Sequence, residues 1–211
     1  MGEKKRICVV GGCQGAGATF LATSLAFSLG ERFNGVVYVE EPQSNRYRRS
    51  PLIINELSLE HLKNRDSKLF ENVNWIIHKD WDCLDGENKA FADMGKYIIY
   101  DNPRDYRGFD LIVCVVDSLP SKVEASKKRV KHIKEYFSTK TIWVLNREFK
   151  QRTKEIERFL GINFDYTIPM EKQENFYTAE FWGRPLQRTK LISEETKTAI
   201  KAISLHVEIL F

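Results

Sequence analysis

The chain has 211 residues, 42% of them hydrophobic, with 33 Lys and Arg against 29 Asp and Glu. That supplies enough apolar material for one sizeable core, and a formal charge of +4 does not by itself call for a nucleic-acid partner. No run approaches the ~20 uncharged apolar residues that span a bilayer. The N-terminal MGEKKRICVVGG enters an apolar stretch without a signal-peptide core, so the expectation is a cytoplasmic, single-domain protein over 1–211.

In chain order, the first apolar run is RICVVG (6–11), short, β-branched and ended by glycine, as a buried parallel strand should be. It leads into GGCQGAGATF and a helical pattern over 18–30. Further strands are expected at 36–40 (VVYVE), 97–100 (YIIY), 111–116 (LIVCVV) and 141–145 (TIWVL), with 75–78 (WIIH) and 165–168 (DYTI) as additional candidates. Helices are expected at 56–65, 121–137, 150–160, 173–182 and 194–208; the stretch 45–95 carries the least periodicity. Strand and helix in alternation imply crossover units. The expected fold is therefore α/β, a doubly wound and mostly parallel sheet with helices on both faces.

Such sheets bind ligands outside the carboxyl ends of their strands. There this sequence places the glycine-rich loop, EEPQSN, DNPRDY, DSLPS and NREFK. Glycine lets successive main-chain N–H groups converge on phosphate oxygens, and a following helix N-terminus adds its dipole. Gly12, Cys13, Gln14, Gly15, Ala16 and Gly17 offer that backbone, and Thr19 stands where a Mg2+-binding hydroxyl belongs. Ala18 stands where the phosphate-gripping lysine of GxxxxGK(S/T) should be. Two alternatives share these glycines. Gly11, Gly15 and Gly17 with Glu40, Tyr136 and Lys140 fit a short-chain dehydrogenase spacing, and a glycine-rich strand-to-helix turn can serve tight packing alone.

The four cysteines, Cys8, Cys13, Cys83 and Cys114, include no C-x-x-C pair and are expected to be reduced. Cys13, in a loop before a helix, is the thiol to watch. Basic runs at RYRR (46–49) and KKRVKHIK (127–134) read first as solvated faces. In the second, Lys127, Lys128, Arg129, Lys131, His132 and Lys134 lie apart from the apolar Val123, Val130, Ile133 and Phe137. The final helix sets Ile200, Ile203, Val207 and Leu210 along one stripe.

In order along about 6–190, GCQGAGATF, VEEPQSN, GKYIIYDNPRD, FDLIVCVVDSLPSKVEASKK, WVLNRE and YTIPMEKQENFYTAEFWGRPL resemble the motifs of the MinD/ParA family of deviant P-loop ATPases. The resemblance implies ATP or ADP with Mg2+ held by residues 12–20, Gly12 through Phe20, and by a base-contacting Asn146. It makes Asp101 the Walker-B-like aspartate, places Thr19 and Asp101 at the metal, and lets Glu40 or Glu41 orient a water. It departs from the family at both loop lysines. The phosphate lysine is Ala18, and the signature lysine, which in the family crosses a dimer interface, is Cys13; Phe20 replaces the second loop threonine. Alanine at the first of these positions is shared with the TadZ/CpaE group.

What the resemblance implies is a homodimeric nucleotide-binding switch or scaffold with weak or absent ATPase activity, positioning or assembling something larger with an unknown protein partner. A pseudo-ATPase interaction module is the alternative, and an active ATPase whose cation is relocated, to Arg46, Arg48, Arg104 or Arg107, is a third. DNA on the basic helix, and a membrane on the C-terminal helix, are further partners the resemblance suggests. Packing onto the sheet is the plainer role for that last helix.

Overall fold

The computed structural model describes residues 4–40, 67–70, 72–77, 96–103, 105–137, 140–148, 152–171 and 192–211. Its strands are β1 (Lys5–Gly11), β2 (Val36–Glu40), β3 (Ser67–Phe70), β4 (Val73–Ile77), β5 (Tyr97–Asp101), β6 (Leu111–Asp117), β7 (Thr141–Glu148) and β8 (Tyr166–Pro169). Its helices are α1 (Ala18–Gly30), α2 (Pro120–Phe137), α3 (Thr153–Leu160) and α4 (Glu194–Ile209). The strands form one eight-stranded sheet in the order β3-β4-β2-β5-β1-β6-β7-β8. Every neighbouring pair is parallel except β3 with β4. The doubly wound α/β expectation is therefore met.

Why β1 reads as an unbroken apolar run is clear from its neighbours. It pairs with β5 on one edge and β6 on the other, and Ile7, Cys8, Val9 and Val10 are all buried. Alternate residues feed opposite cores: Ile7 and Val9 face the layer holding α1 and α4, whereas Cys8 and Val10 face α2 and α3. Cys8 and Cys114 are thus buried core residues, as expected; Cys83 lies outside the described residues.

The helix α1 is buried almost all the way round, because the sheet covers one side and α4 packs on another. Its Thr23 and Ser24 hydroxyls are accommodated there by donating to the carbonyls of Thr19, at 2.9 Å, and Phe20, at 2.6 Å. The other face is built by an amphipathic α2, whose Val123, Val130 and Ile133 are buried beside Ile156 and Leu160 of α3.

Some expectations need correction. The antiparallel β3 falls in the stretch read as aperiodic, where Asn72 takes a left-handed φ of 62° between the paired strands. The expected helices at 56–65 and 173–182 lie outside the described residues. On α4, Ile200, Ile203 and Val207 enter the core, but Leu210 is the C-cap and 49% exposed. Its docking is fixed further by Arg32, which pairs with Glu208 and donates to Ser204 Oγ at 2.5 Å. No helix among the described residues is long and apolar enough to cross a membrane.

A docked α4 predicts unequal costs along the stripe. Ile203→Ala should lose about 2–5 kcal/mol in urea denaturation, the cost of a buried large-to-small change. Leu210→Ala should lose less than about 0.5 kcal/mol. Equal, small effects at both positions would mean that α4 is not part of the core.

Candidate functional site

The order of the sheet reverses direction at β1, so the loop after β1 lies at a topological switch point, flanked by the ends of β5 and β6. Two close approaches fix that loop. A Cβ on Gly12 would lie 2.7 Å from Ser126 Oγ of α2, so only glycine lets helix and loop meet there. Gly17 has φ 99° and is the N-cap of α1, and a Cβ on it would lie 2.2 Å from Asn146 Nδ2.

The loop carbonyls are held from the α2 and β7 side. Lys122 Nζ donates to Gln14 O at 2.7 Å, Arg147 Nη2 to Gly15 O at 2.5 Å, and Asn146 Nδ2 to Ala16 O at 2.9 Å. Arg129 Nη1 reaches Gly11 O at 2.8 Å. Among loop amides, Gly12 N–H donates to Val115 O at 2.7 Å and Ala16 N–H to Cys13 O at 3.3 Å. The N–H groups of Gln14, Gly15, Gly17, Ala18 and Thr19 donate to no protein acceptor among the described residues, and Gly17 caps α1 without a side-chain bond. A helix start with unspent, converging donors is a ready anion site.

Beside it lies Asp101, at the end of β5 and 3% exposed. Its carboxylate accepts from Tyr38 Oη at 3.0 Å and Asn102 Nδ2 at 2.7 Å, and the Thr19 hydroxyl lies near enough to favour its charged form. Asn102, with φ 49°, turns its other end back so that Oδ1 accepts from Gly11 N–H at 3.0 Å. Burial pushes the Asp101 carboxyl up to about 6, against the lowering pull of the Thr19, Tyr38 and Asn102 hydrogen bonds. Those donors are all neutral. Glu40 is the register partner of Asp101 across β2 and β5, while its side chain lies outside the described residues.

The sequence-predicted residues thus divide. Gly12, Cys13, Gln14, Gly15, Ala16, Gly17 and Thr19 form the loop and its helix start, with Asp101 alongside. The Ala18 and Phe20 side chains are buried and join the core around α1. Asn146, read as a base contact, is 5% exposed and donates from Nδ2 to the Ala16 carbonyl. Arg107 is exposed and paired with Asp105, so it is no relocated loop cation; Arg46, Arg48, Arg104 and Glu41 lie outside the described residues. Tyr136 and Lys140 flank the C-terminal end of α2, whose N-terminal end meets the loop, which removes the dehydrogenase alternative.

Sequence reasoning missed Lys122 and Arg147 and took Arg129 for part of a solvated run. Spacing carried a signal for part of this: Lys122, Ser126 and Arg129, at i, i+4 and i+7, share one face of α2, the face that meets the loop. Arg147 also pairs with the fully buried Asp117.

The raised Asp101 predicts a pH dependence. Between about pH 4 and pH 6 the unfolded chain releases this proton while the folded chain retains it, so stability falls as pH rises, by about 3 kcal/mol, and levels off above pH 6. Asp101→Asn removes that fall. Urea denaturation without nucleotide or metal should find the variant about 2–3 kcal/mol more stable than wild type at pH 7.5 and the two alike near pH 4.

No family model and no curated protein sequence matches the chain. Solved structures do. A ParA family ATPase from Chlorobium tepidum superposes with TM-score 0.68 at 16% identity, covering 97% of this chain and 100% of that one. The MinD of Pyrococcus horikoshii, complexed with Mg-ADP, gives TM-score 0.65 at 17% identity over 99% and 97%. A putative plasmid partition protein from Borrelia burgdorferi, bound to AMPPNP, gives 0.62 at 14% over 99% of each chain. With its sheet order, its loop at the switch point and these superpositions, the chain has the fold of the MinD/ParA ATPases.

Proposed function

We propose that this chain is a nucleotide-binding switch or scaffold of the MinD/ParA kind, one domain over 1–211, with weak or absent ATPase activity. The observation that carries the reading is the row of unspent amides at Gly15, Gly17, Ala18 and Thr19 beside the buried Asp101 and the half-buried Thr19. Main-chain donors and a helix N-terminus hold a phosphate without a lysine. The buried carboxylate, supported by neutral donors alone, suits a cation. In this reading the amides take the phosphates of ATP or ADP, and Thr19 and Asp101 hold Mg2+. When bound, Mg2+ neutralises phosphate charge and relieves the burial cost of Asp101.

Turnover is another matter. Charge-stabilising groups in such sites are worth about 2.7–4 kcal/mol each, or ~10²–10³ in rate. With Ala18 and Cys13 at both lysine positions, the chain binds far better than it hydrolyses. Glu40, beside Asp101 in register, is the candidate for orienting a water. The biological role follows the structural relatives, ATPases of division and partition: a homodimer that positions or assembles a larger structure with a protein partner. The missing lysines favour one further reading, an interaction module that binds no nucleotide.

Calorimetric titration with Mg-ADP and Mg-ATP separates the two. Micromolar-range binding is expected, and Thr19→Ala should weaken it about tenfold when Mg2+ is present, the scale of one lost charge-assisted contact. Any residual phosphate release should vanish in Asp101→Ala. No heat and no thermal shift with either nucleotide would leave the interaction module.

A further inference from the structure

Three consecutive peptide groups of the loop are gripped by their carbonyls from the same side: 14–15 by Lys122, 15–16 by Arg147 and 16–17 by Asn146. In a trans peptide, C=O and N–H point opposite ways. The clamps therefore aim the Gly15, Ala16 and Gly17 N–H groups away from α2 and β7. A donor at the carbonyl also polarises its peptide, so the N–H on the far side becomes a stronger donor.

The clamps differ in charge. Asn146 is neutral. Arg147 is matched by the buried Asp117 carboxylate. Arg129 is charged, but the peptide it grips, 11–12, spends its N–H on Val115. Lys122 has no acidic partner among the described residues, its Nζ lies 3.3 Å from where a Gly15 Cβ would stand, and the Gly15 N–H beyond it is unspent.

We infer that Lys122 is a positioning residue for polyphosphate: a cation behind the glycine loop that supplies, through the Gln14–Gly15 peptide, positive potential that Ala18 cannot supply from in front. This rests on the nucleotide reading above and adds the residue that sets its affinity. Lys122 does not touch the ligand. It orients and polarises the donor that does.

The test uses the full chain, with magnesium ADP and magnesium inorganic triphosphate titrated by calorimetry over a range of salt concentrations. Lys122→Gln keeps a donor and loses the charge, while Lys122→Arg keeps both. Lys122→Gln should bind both ligands about five- to tenfold more weakly, with a shallower salt dependence, and Lys122→Arg should stay within about twofold of wild type, as for a partly screened charge. A melting temperature unchanged in both variants checks that the fold is intact. If wild type binds and Lys122→Gln matches it, the inference fails and the nucleotide reading stands. Equal weakening in both variants, or weakening toward the nucleotide alone, also overturns it, since shape or the nucleoside would then be responsible. If wild type binds neither ligand, both readings fall together.

Discussion

The site depends on one geometric constraint, that a planar trans peptide cannot turn its carbonyl and its amide to the same side. A glycine-rich segment would otherwise sample many conformations, and ordering it is costly because glycine has the most freedom to lose. Here the ordering is done by side chains from outside the loop, on α2 and β7, that take successive carbonyls. Amides without protein acceptors are left at the start of α1, where the helix dipole adds to their partial charges.

That arrangement is itself anchored in the sheet. Asp101 and Asp117 end their strands and Asn146 is the ladder partner of Asp117 on β7, all three held in parallel ladders with both faces of the sheet covered. Arg147 accepts a left-handed φ of 56°, with Ser118 donating to its carbonyl, while its guanidinium meets Asp117 and Gly15. Strain of about 1–2 kcal/mol at such a residue is sustained because Ser118 holds its backbone and the buried Asp117 holds its head group. The burial of Asp101, only partly offset by Tyr38 and Asn102, belongs to the same pattern, in which stability is given up at the loop edge of the sheet and recovered from a large apolar core.

Much of the scaffold was legible because its signals are local. The apolar runs and their glycine boundaries gave α1 and β2 with the observed limits, and the resemblance carried the loop and Asp101 to the right edge of the sheet. Other features were not. SKLF is too short and too polar to announce a strand, and β7 runs on through Asn-Arg-Glu because ladder bonds to β6 and β8 do not require apolar side chains. Asn146 was placed correctly along the chain, but its bond to the Ala16 carbonyl was not legible, since spacing cannot say that an amide reaches the loop beneath it. Lys122 and Arg129 look like any solvated cations until tertiary packing brings Gln14 and Gly11 within their reach.

The contact between Gly12 and Ser126 has a consequence for how sequences of this kind can drift. Ser126 is fully buried against a glycine that leaves no room for even a methyl group, so neither position can enlarge while the other stays as it is. A bulkier residue at either site would prise the helix from the loop and move the anchoring amines with it. Over evolutionary time the two sites should therefore covary, and a homologue that has enlarged either one is expected to show a matching adjustment at the other.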